Sequence, residues 1–238
     1  MKTYAFIFAR GGSKGVPGKN IKEFAGKPLL SYSIELAKKI DEIDEIFVST
    51  DDQIIAGVAA KYGASVILRP EELACDNAPE WLAWQHAVKW LEERGHDFDI
   101  FLSLPTTSPL RNMEDIHSVL RCLDENTDVV LTMTEAARNP WFNMVNKSKE
   151  GFIELLNQDD KAFHRRQDTP VVYNLTTVAY VTSPAFIESA NGIFEGRVKA
   201  VEIPDCRALD IDTELDFEIA EFLMKKTICL NKEKNYAE

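Results

Sequence analysis

The chain reads as an α/β protein: a mostly parallel sheet with helices on both faces. Three observations predict this. Short apolar runs rich in Val, Ile and Phe recur along the chain. Stretches with helical spacing separate them. The 238 residues, 45% of them hydrophobic, suffice for one compact core but are cramped for two full domains.

The elements follow in order. Residues 4–9 form the first apolar run, too short for a membrane span and without a signal-peptide layout, so it reads as a buried strand. Leu30, Ile34, Ala37 and Ile40 then repeat at helical spacing. Strands are predicted over 46–50, 65–68, 100–104 and 129–133, and crossover helices over 55–62, 81–91 and 116–123. This alternation places ligands beyond the carboxyl ends of the strands. After Met133 the pattern breaks, and strand-like pieces at 152–156 and 171–181 suggest an inserted sub-domain over 141–182. The main pattern resumes at 198–203 and closes with a helix over 213–225. Residues 1–224 are therefore read as one domain and 225–238 as a polar tail. Trp81, Trp84 and Trp90 fall near one face of a predicted helix and read as packing residues.

Lys and Arg total 27 against 39 Asp and Glu, a formal charge of -12. That charge excludes a general affinity for nucleic acid or anionic membrane, so any anion must be bound locally. The cysteines, Cys75, Cys122, Cys206 and Cys229, lie far apart with no CxxC pair. Neither a zinc site nor a disulfide framework is suggested, and a reducing cytoplasm is expected.

The first strand runs into Ala9-Arg10-Gly11-Gly12-Ser13-Lys14-Gly15-Val16-Pro17-Gly18-Lys19-Asn20. Glycines let backbone N–H groups approach anionic oxygens, Arg offers a fork and Lys a point charge, so such a loop can wrap phosphates. Five basic residues and one acid, Glu23, lie between Arg10 and Lys27 in a chain that is acidic overall. A solvated basic turn is the plainer alternative. A Walker loop fails because Ser13 stands where its first glycine belongs and Asn20 follows Gly18-Lys19. The dinucleotide fingerprint also needs glycine at position 13, and Pro17 spoils the helix that should follow. Gly11-Gly12-Ser13-Lys14-Gly15 does match a serine hydrolase elbow. The loop continues through Val16-Pro17-Gly18 without entering a helix, however, and none of the four histidines is singled out as a base.

These residues resemble the ARxxSKGxxxKN signature of the acylneuraminate cytidylyltransferases, the CMP-sialic acid synthetases. Further segments resemble the family's motifs in order: Val48-Ser49-Thr50-Asp51, Leu68-Arg69-Pro70-Glu71-Glu72-Leu73-Ala74 with Asp76, Thr107-Ser108-Pro109-Leu110-Arg111, Arg165-Arg166-Gln167, and 210–216, DIDTELD. The resemblance implies a nucleotide-diphospho-sugar transferase fold of Rossmann-like layout and a homodimer whose sub-domain leans on the partner's active site. It also implies CTP and an acidic sugar as substrates and magnesium as the metal, with manganese as an alternative. Arg10 and Lys19 would hold the triphosphate, with Gly11, Gly12, Ser13, Lys14 and Asn20 shaping the loop and Arg69, Ala78 and Glu80 near the cytosine. Thr106, Thr107, Arg165, Thr176, Tyr180 and Phe194 would face the sugar, while Arg111 supports the structure.

Asp210 and Asp212 are one residue apart, so in extended backbone both carboxylates project to one side and can share a cation. Magnesium takes hard oxygen ligands, commonly one or two carboxylates plus substrate phosphates. The competing reading is that Asp212 or Thr213 only caps the final helix. Asp51 and Asp52 read as an N-cap ahead of Ile54 and Ile55. Arg10, Lys19, Asp210 and Asp212 are thus the predicted catalytic set, acting in an in-line attack of the sugar's anomeric hydroxyl on the α-phosphorus.

The chain departs from the family on the sugar side. Pro105 replaces a glutamine, Phe142 a lysine and Thr176 an asparagine, and near the nucleotide base Glu80 replaces a small hydroxyl residue. These changes leave the acceptor open among N-acylneuraminate relatives and an eight-carbon, Kdo-like ulosonate. Nucleotidyl transfer to a sugar 1-phosphate is a further alternative.

Overall fold

In the computed structural model, which describes residues 1–157 and 163–235, the chain lays down its elements in the expected alternation. They are β1 (Thr3–Phe8), a small hairpin of β2 (Glu23–Phe24) and β3 (Lys27–Pro28), α1 (Leu29–Ala37), β4 (Glu45–Thr50), α2 (Gln53–Lys61), β5 (Ser65–Leu68), α3 (Glu80–Glu92), β6 (Ile100–Ser103), α4 (Met113–Cys122) and β7 (Val129–Glu135). A second small hairpin, β8 (Val145–Lys147) and β9 (Ile153–Leu155), leads to β10 (Tyr173–Thr182), α5 (Pro184–Ser189), β11 (Val198–Glu202) and α6 (Glu214–Asn235).

Seven strands make the central sheet in the order β11-β7-β10-β6-β1-β4-β5. The pairs of β1 with β4 and β6, of β4 with β5, and of β11 with β7 are parallel, and β10 runs antiparallel between β6 and β7. The two-residue period of a strand divides the core between the faces of the sheet. Ala5, Ile7, Val48, Leu102 and Leu104 pack with Leu30, Ile34, Ile55, Ile116 and Val119 from α1, α2 and α4. Tyr4, Phe6, Phe47 and Phe101 pack on the other face with Trp81, Trp84, Val88 and Leu91 of α3 and Ile187 of α5. Trp81 and Trp84 are buried, and Trp90 packs against the same cluster. The packing reading of these three tryptophans therefore holds. A third, smaller cluster joins Val16 of the glycine loop, Phe24, Leu29, Ile211 and the α6 residues Phe217 and Ala220. It fixes the loop against the start of the last helix.

Two boundaries differ from the sequence reading. The predicted sub-domain ran to 182, but β10 is a central strand of the main sheet; only the segment between β7 and β10 stands outside it, with 158–162 outside the described residues. An apolar run flanked by hydroxyl residues, as in Thr176-Thr177-Val178-Ala179-Tyr180-Val181-Thr182, carries no mark of which sheet it joins. The polar tail is the second correction. α6 continues past Lys225 to Asn235, because Lys, Glu and Leu are good helix formers and 225–235 contains neither Gly nor Pro to stop it. The last three residues, 236–238, lie outside the described residues. The β2–β3 hairpin and α5 were not predicted; each is too short to show a period. Among the described residues, no helix is long and apolar enough to cross a membrane.

Phe101 is fully buried, its ring 4.2 Å from that of Phe6 and 5.1 Å from Trp84. Phe101→Ala is expected to cost about 3–5 kcal/mol of unfolding free energy, measured by urea titration.

Candidate active site

The parallel strands β1, β4, β5 and β6 all end on one edge, and the chemistry-bearing residues follow directly from those ends. After β1, the N–H of Ala9 donates to the Ser49 carbonyl at 3.0 Å and carries the chain one residue further along β4. The N–H of Gly11 then donates to Asp51 Oδ1 at 3.0 Å. Asp52 Oδ1 accepts from the N–H groups of Ile54 and Ile55 at 2.7 and 3.0 Å, capping α2. The two aspartates therefore divide the work: Asp52 is the predicted cap, whereas Asp51 anchors the glycine loop. A Cβ on Gly11 would come within 2.9 Å of Asp52 Oδ2, so this turn fits closely only without a side chain. Gly12 borders open space, and the N–H of Ser13 turns back to the Gly11 carbonyl at 3.1 Å.

Asn20 is buried, and its Nδ2 donates to the Arg10 carbonyl at 2.9 Å while its Oδ1 accepts from Thr106 Oγ1 at 2.6 Å. Asn20 shapes the loop as the resemblance implied. Thr106, predicted to face the sugar, is instead a buried prop behind Asn20, because its only short polar partner lies inside the protein.

The loop and the acidic segment meet at Gly15. A Cβ there would overlap the Asp212 carbonyl oxygen, so only glycine allows this approach. Lys19 Nζ donates to the Ile211 carbonyl and stands 3.9 Å from Asp212 Oδ1. The Ile211 N–H donates to the Thr107 carbonyl at 2.9 Å, and its side chain is buried with Val16. With Ile211 turned into the core, Asp210 and Asp212 both face Lys19. Burial lowers the Lys19 pKa from the usual lysine range, while the two aspartates pull it back up. Among the described residues Asp210 Oδ1 is buried without a hydrogen-bond partner, as a carboxylate awaiting a cation would be. Asp212 is exposed. Capping of α6 falls to Thr213 and Asp216: Thr213 N and Oγ1 donate to Asp216 Oδ2 at 2.8 and 2.7 Å, and the Asp216 N–H returns to Thr213 Oγ1 at 3.2 Å. The Asp212 carboxylate is thus not consumed as a cap. Among the described residues no group of three or more His, Cys, Asp and Glu forms a metal cage, so a cation here would depend on the two aspartates and on ligand oxygens.

Two cavities that share Glu80 lie at this edge, and Arg10 of the loop lines the first. The first, about 270 Å³, is lined by Phe8, Arg10, Arg69, Leu73, Ala78 and Glu80, with Cys75 and Asp76 at its rim. Arg69 is 92% buried, and among the described residues its Nε and Nη2 have no hydrogen-bond partner. Asp76 pairs with Arg10 at 3.0 Å and with Lys14 at 2.5 Å, and hydrogen bonding from Lys14 holds its carboxyl below the usual range. Two of the predicted phosphate-binding cations therefore share one carboxylate, which leaves the trio with a net positive charge. Sequence reasoning quoted Asp76 only as part of a motif and missed this role. The second cavity, about 310 Å³, is walled by Trp81, Trp84, Tyr180, Gly192, Ile193 and Phe194. Glu80 borders both cavities and accepts from Trp84 Nε1 at 3.0 Å. Glu80 is exposed by surface area, yet the protein packed around its carboxyl desolvates it and pushes it up. The same desolvation, with Glu80 and Asp210 nearby, pushes the Tyr180 hydroxyl up to about 12.

The predicted sugar residues thus separate. Tyr180 and Phe194 share the second cavity, with Phe194 exposed. Thr107 sits on the turn that holds Ile211, its Oγ1 3.3 Å from Thr177 Oγ1. Thr176 is a further correction: it is buried in the sheet, with its hydroxyl donating to Thr132 Oγ1 at 2.6 Å. The residue facing this turn is Thr177, 2.7 Å from Ser108 Oγ, one position on as strand alternation dictates. Arg165 is exposed, forks onto Asp168 at 2.9 and 3.1 Å, and lines neither cavity of its own chain. Arg111 is a support, as expected: buried, it donates to the carbonyls of Ser108 and Pro105, and burial lowers its pKa to about 9.

A family model described as "Cytidylyltransferase" matches residues 4–235. The chain is 33% identical over 228 residues to "Pseudaminic acid cytidylyltransferase" of Campylobacter jejuni, covering 94% of this chain and 97% of the relative. It is 34% identical over 228 residues to "CMP-N,N'-diacetyllegionaminic acid synthase" of Campylobacter jejuni, covering 92% and 93%. Among solved structures, CMP:2-keto-3-deoxy-manno-octonic acid synthetase complexed with CTP superposes with a TM-score of 0.70 at 16% identity, covering 95% of this chain and all of the other, a likeness of fold.

Gly15→Ala must force the loop away from Asp212. It is expected to weaken CTP binding by roughly tenfold or more in titration calorimetry while the circular dichroism spectrum is retained.

Proposed function

Since this chain belongs to the cytidylyltransferase family, we propose that it transfers CMP from CTP to the anomeric 2-hydroxyl of a sialic-acid-like nonulosonic acid, releasing pyrophosphate. The observation that carries this reading is the contact of Gly15 and Lys19 with 211–212, which sets a cationic glycine loop against an acidic pair. The two curated relatives named for pseudaminic and diacetyllegionaminic acid support an acceptor of that class.

The cytosine fits the cavity lined by Arg69, Ala78 and Glu80. Arg10, Lys14 and Lys19 offer the triphosphate three cations, with Asp76 yielding its hold on the first two. The sugar then lies toward Tyr180 and Phe194, so its hydroxyl approaches the α-phosphorus from the side opposite the departing pyrophosphate. Magnesium, or manganese in its place, belongs to the same proposal: the orphaned Asp210 oxygen and the exposed Asp212 carboxylate fit a hard cation, and they would hold it together with phosphate oxygens. When bound, such an ion neutralises charge on the phosphates. Preorganised positive charge at Arg10 and Lys19 supplies the rest of the stabilisation with no covalent intermediate.

A homodimer is also proposed, supported by the exposed apolar side chains Phe152, Ile153, Val171 and Leu175 outside or at the edge of the main sheet. In such a dimer Arg165 would serve the partner's site. A cytoplasmic setting is consistent with the free thiols of Cys75, Cys122 and Cys206.

The test is pyrophosphate release with each nucleoside triphosphate, magnesium, and a panel of nonulosonic acids, an eight-carbon ulosonate and sugar 1-phosphates. Activity confined to sugar 1-phosphates would overturn the assignment. Asp212→Asn and Lys19→Ala should each lower turnover by about a hundredfold or more at unchanged melting temperature. Because burial lowers the Lys19 pKa, its charge is lost at a lower pH than an ordinary lysine's. The alkaline fall of kcat/KM should begin correspondingly early, and Lys19→Arg, which stays charged, should move that fall to higher pH.

A further inference from the structure

We infer that Glu80 selects the acceptor: its carboxylate takes the N–H of an acylamino group on the sugar that enters the second cavity. This rests on the reading that the acceptor lies toward Tyr180 and Phe194. Among the described residues Glu80 is the one charged side chain lining that 310 Å³ cavity, whose other walls include the rings of Trp81, Trp84, Tyr180 and Phe194. The polar groups left for a ligand follow from the hydrogen bonds already made. Trp81 Nε1 donates to the Ala190 carbonyl at 2.9 Å and Trp84 Nε1 to Glu80 Oε1 at 3.0 Å, so both indole donors are spent. Among the described residues the Glu80 carboxylate accepts no other hydrogen bond, which leaves Oε2 able to take one. Glu80 opens α3 and Trp84 lies one turn further on, so the helix itself holds the carboxylate at this wall. Tyr180 is the other polar side chain. Its ring stands 5.7 Å from that of Trp84, and burial, with the Glu80 charge nearby, pushes its hydroxyl up to about 12, so it stays a donor.

The cavity thus offers one anionic acceptor, one donor and aromatic walls. A secondary amide matches all three: its N–H donates to Glu80, its carbonyl accepts from Tyr180, and its acyl end packs on the rings. A hydroxyl in its place also reaches Glu80 but leaves the rings uncovered, giving up the apolar burial. A carboxylate there would meet the Glu80 charge, so the acidic sugar enters this cavity by another end. Phe194, 69% exposed, is the wall that an acyl group would cover. Thr176 does not supply this recognition, because its hydroxyl is buried against Thr132.

The test starts from the acceptor panel, run on the intact protein with CTP and magnesium. If no nonulosonic acid supports pyrophosphate release, the functional reading fails and takes this inference with it. With turnover established, the acceptor used best should carry an acylamino group. Its counterpart with a hydroxyl in that place should show a kcat/KM lower by about tenfold or more. Glu80→Gln is the decisive variant, because its Oε1 still accepts from Trp84 Nε1 while its amide N–H is set against the incoming N–H. The variant should raise the acceptor KM about tenfold and leave the KM for CTP nearly unchanged. It should also lose most of the preference over the hydroxyl counterpart, since a hydroxyl accepts as well as donates. An unchanged melting temperature separates these effects from a disturbed wall. A best acceptor without an acylamino group, or an acceptor KM that Glu80→Gln does not move, would overturn the inference. So would a change confined to the KM for CTP or to the choice of base, which would assign Glu80 to the base cavity that it also borders.

Discussion

The site depends on one close approach: the backbone of Gly15 lies against the carbonyl of Asp212, a contact that any side chain at position 15 would break. Around it, each neighbour fixes another. Val16 and Ile211 share a buried apolar cluster, Ile211 hydrogen-bonds Thr107, and Lys19 reaches the Ile211 carbonyl. Segments nearly two hundred residues apart in the chain are thereby joined by apolar packing, by the approach of Gly15 to Asp212 and by the Lys19 side chain on the Ile211 carbonyl. The loop needs no helix of its own to be held in place, which separates it from the phosphate loops of other nucleotide-binding folds.

Electrostatics at this edge reverse the character of the chain. A protein with a net charge of -12 gathers Arg10, Lys14, Lys19 and Arg69 at this edge, with Arg10 and Arg69 lining one small cavity, and keeps their charges partly answered by nearby carboxylates. Unanswered positive charge would repel itself within the loop, and permanently paired charge would bind nothing. Carboxylates exposed enough to be displaced resolve the conflict, since exposed pairs are weak and a multiply charged ligand outcompetes them. Arg69 is buried, and the neighbouring Asp51 and Glu80 carboxylates offset part of the fall in pKa that burial causes.

The second cavity carries the individuality of this chain. Glu80 lies between the base cavity and the aromatic walls of Trp81, Trp84 and Tyr180, and its desolvated carboxyl is tied to Trp84. Of the positions that differ from the sialic-acid pattern, Glu80 borders this cavity, whereas Thr176 is buried in the sheet. The loop side keeps the signature intact.

Much of the fold was legible in the sequence because strand and helix periods report burial directly, and the motif residues at strand ends had to share one edge once the sheet was parallel. Asp52 as a cap, Asn20 as a loop former and Arg111 as a support could each be read locally. Thr106 and Thr176 could not. Both are hydroxyl residues at motif positions, and only the tertiary structure turns one toward Asn20 and the other toward Thr132. The assignment of β10 to the main sheet, the role of Asp51 and the hold of Asp76 on the loop share that dependence. Sequence alone determined the kinds of residue and their spacing along each element, since these follow from local backbone geometry. Which side chains meet across 40, 60 or 200 positions was decided by packing, because contacts between distant segments are set by the sheet order and the core, and neither is written in any one segment.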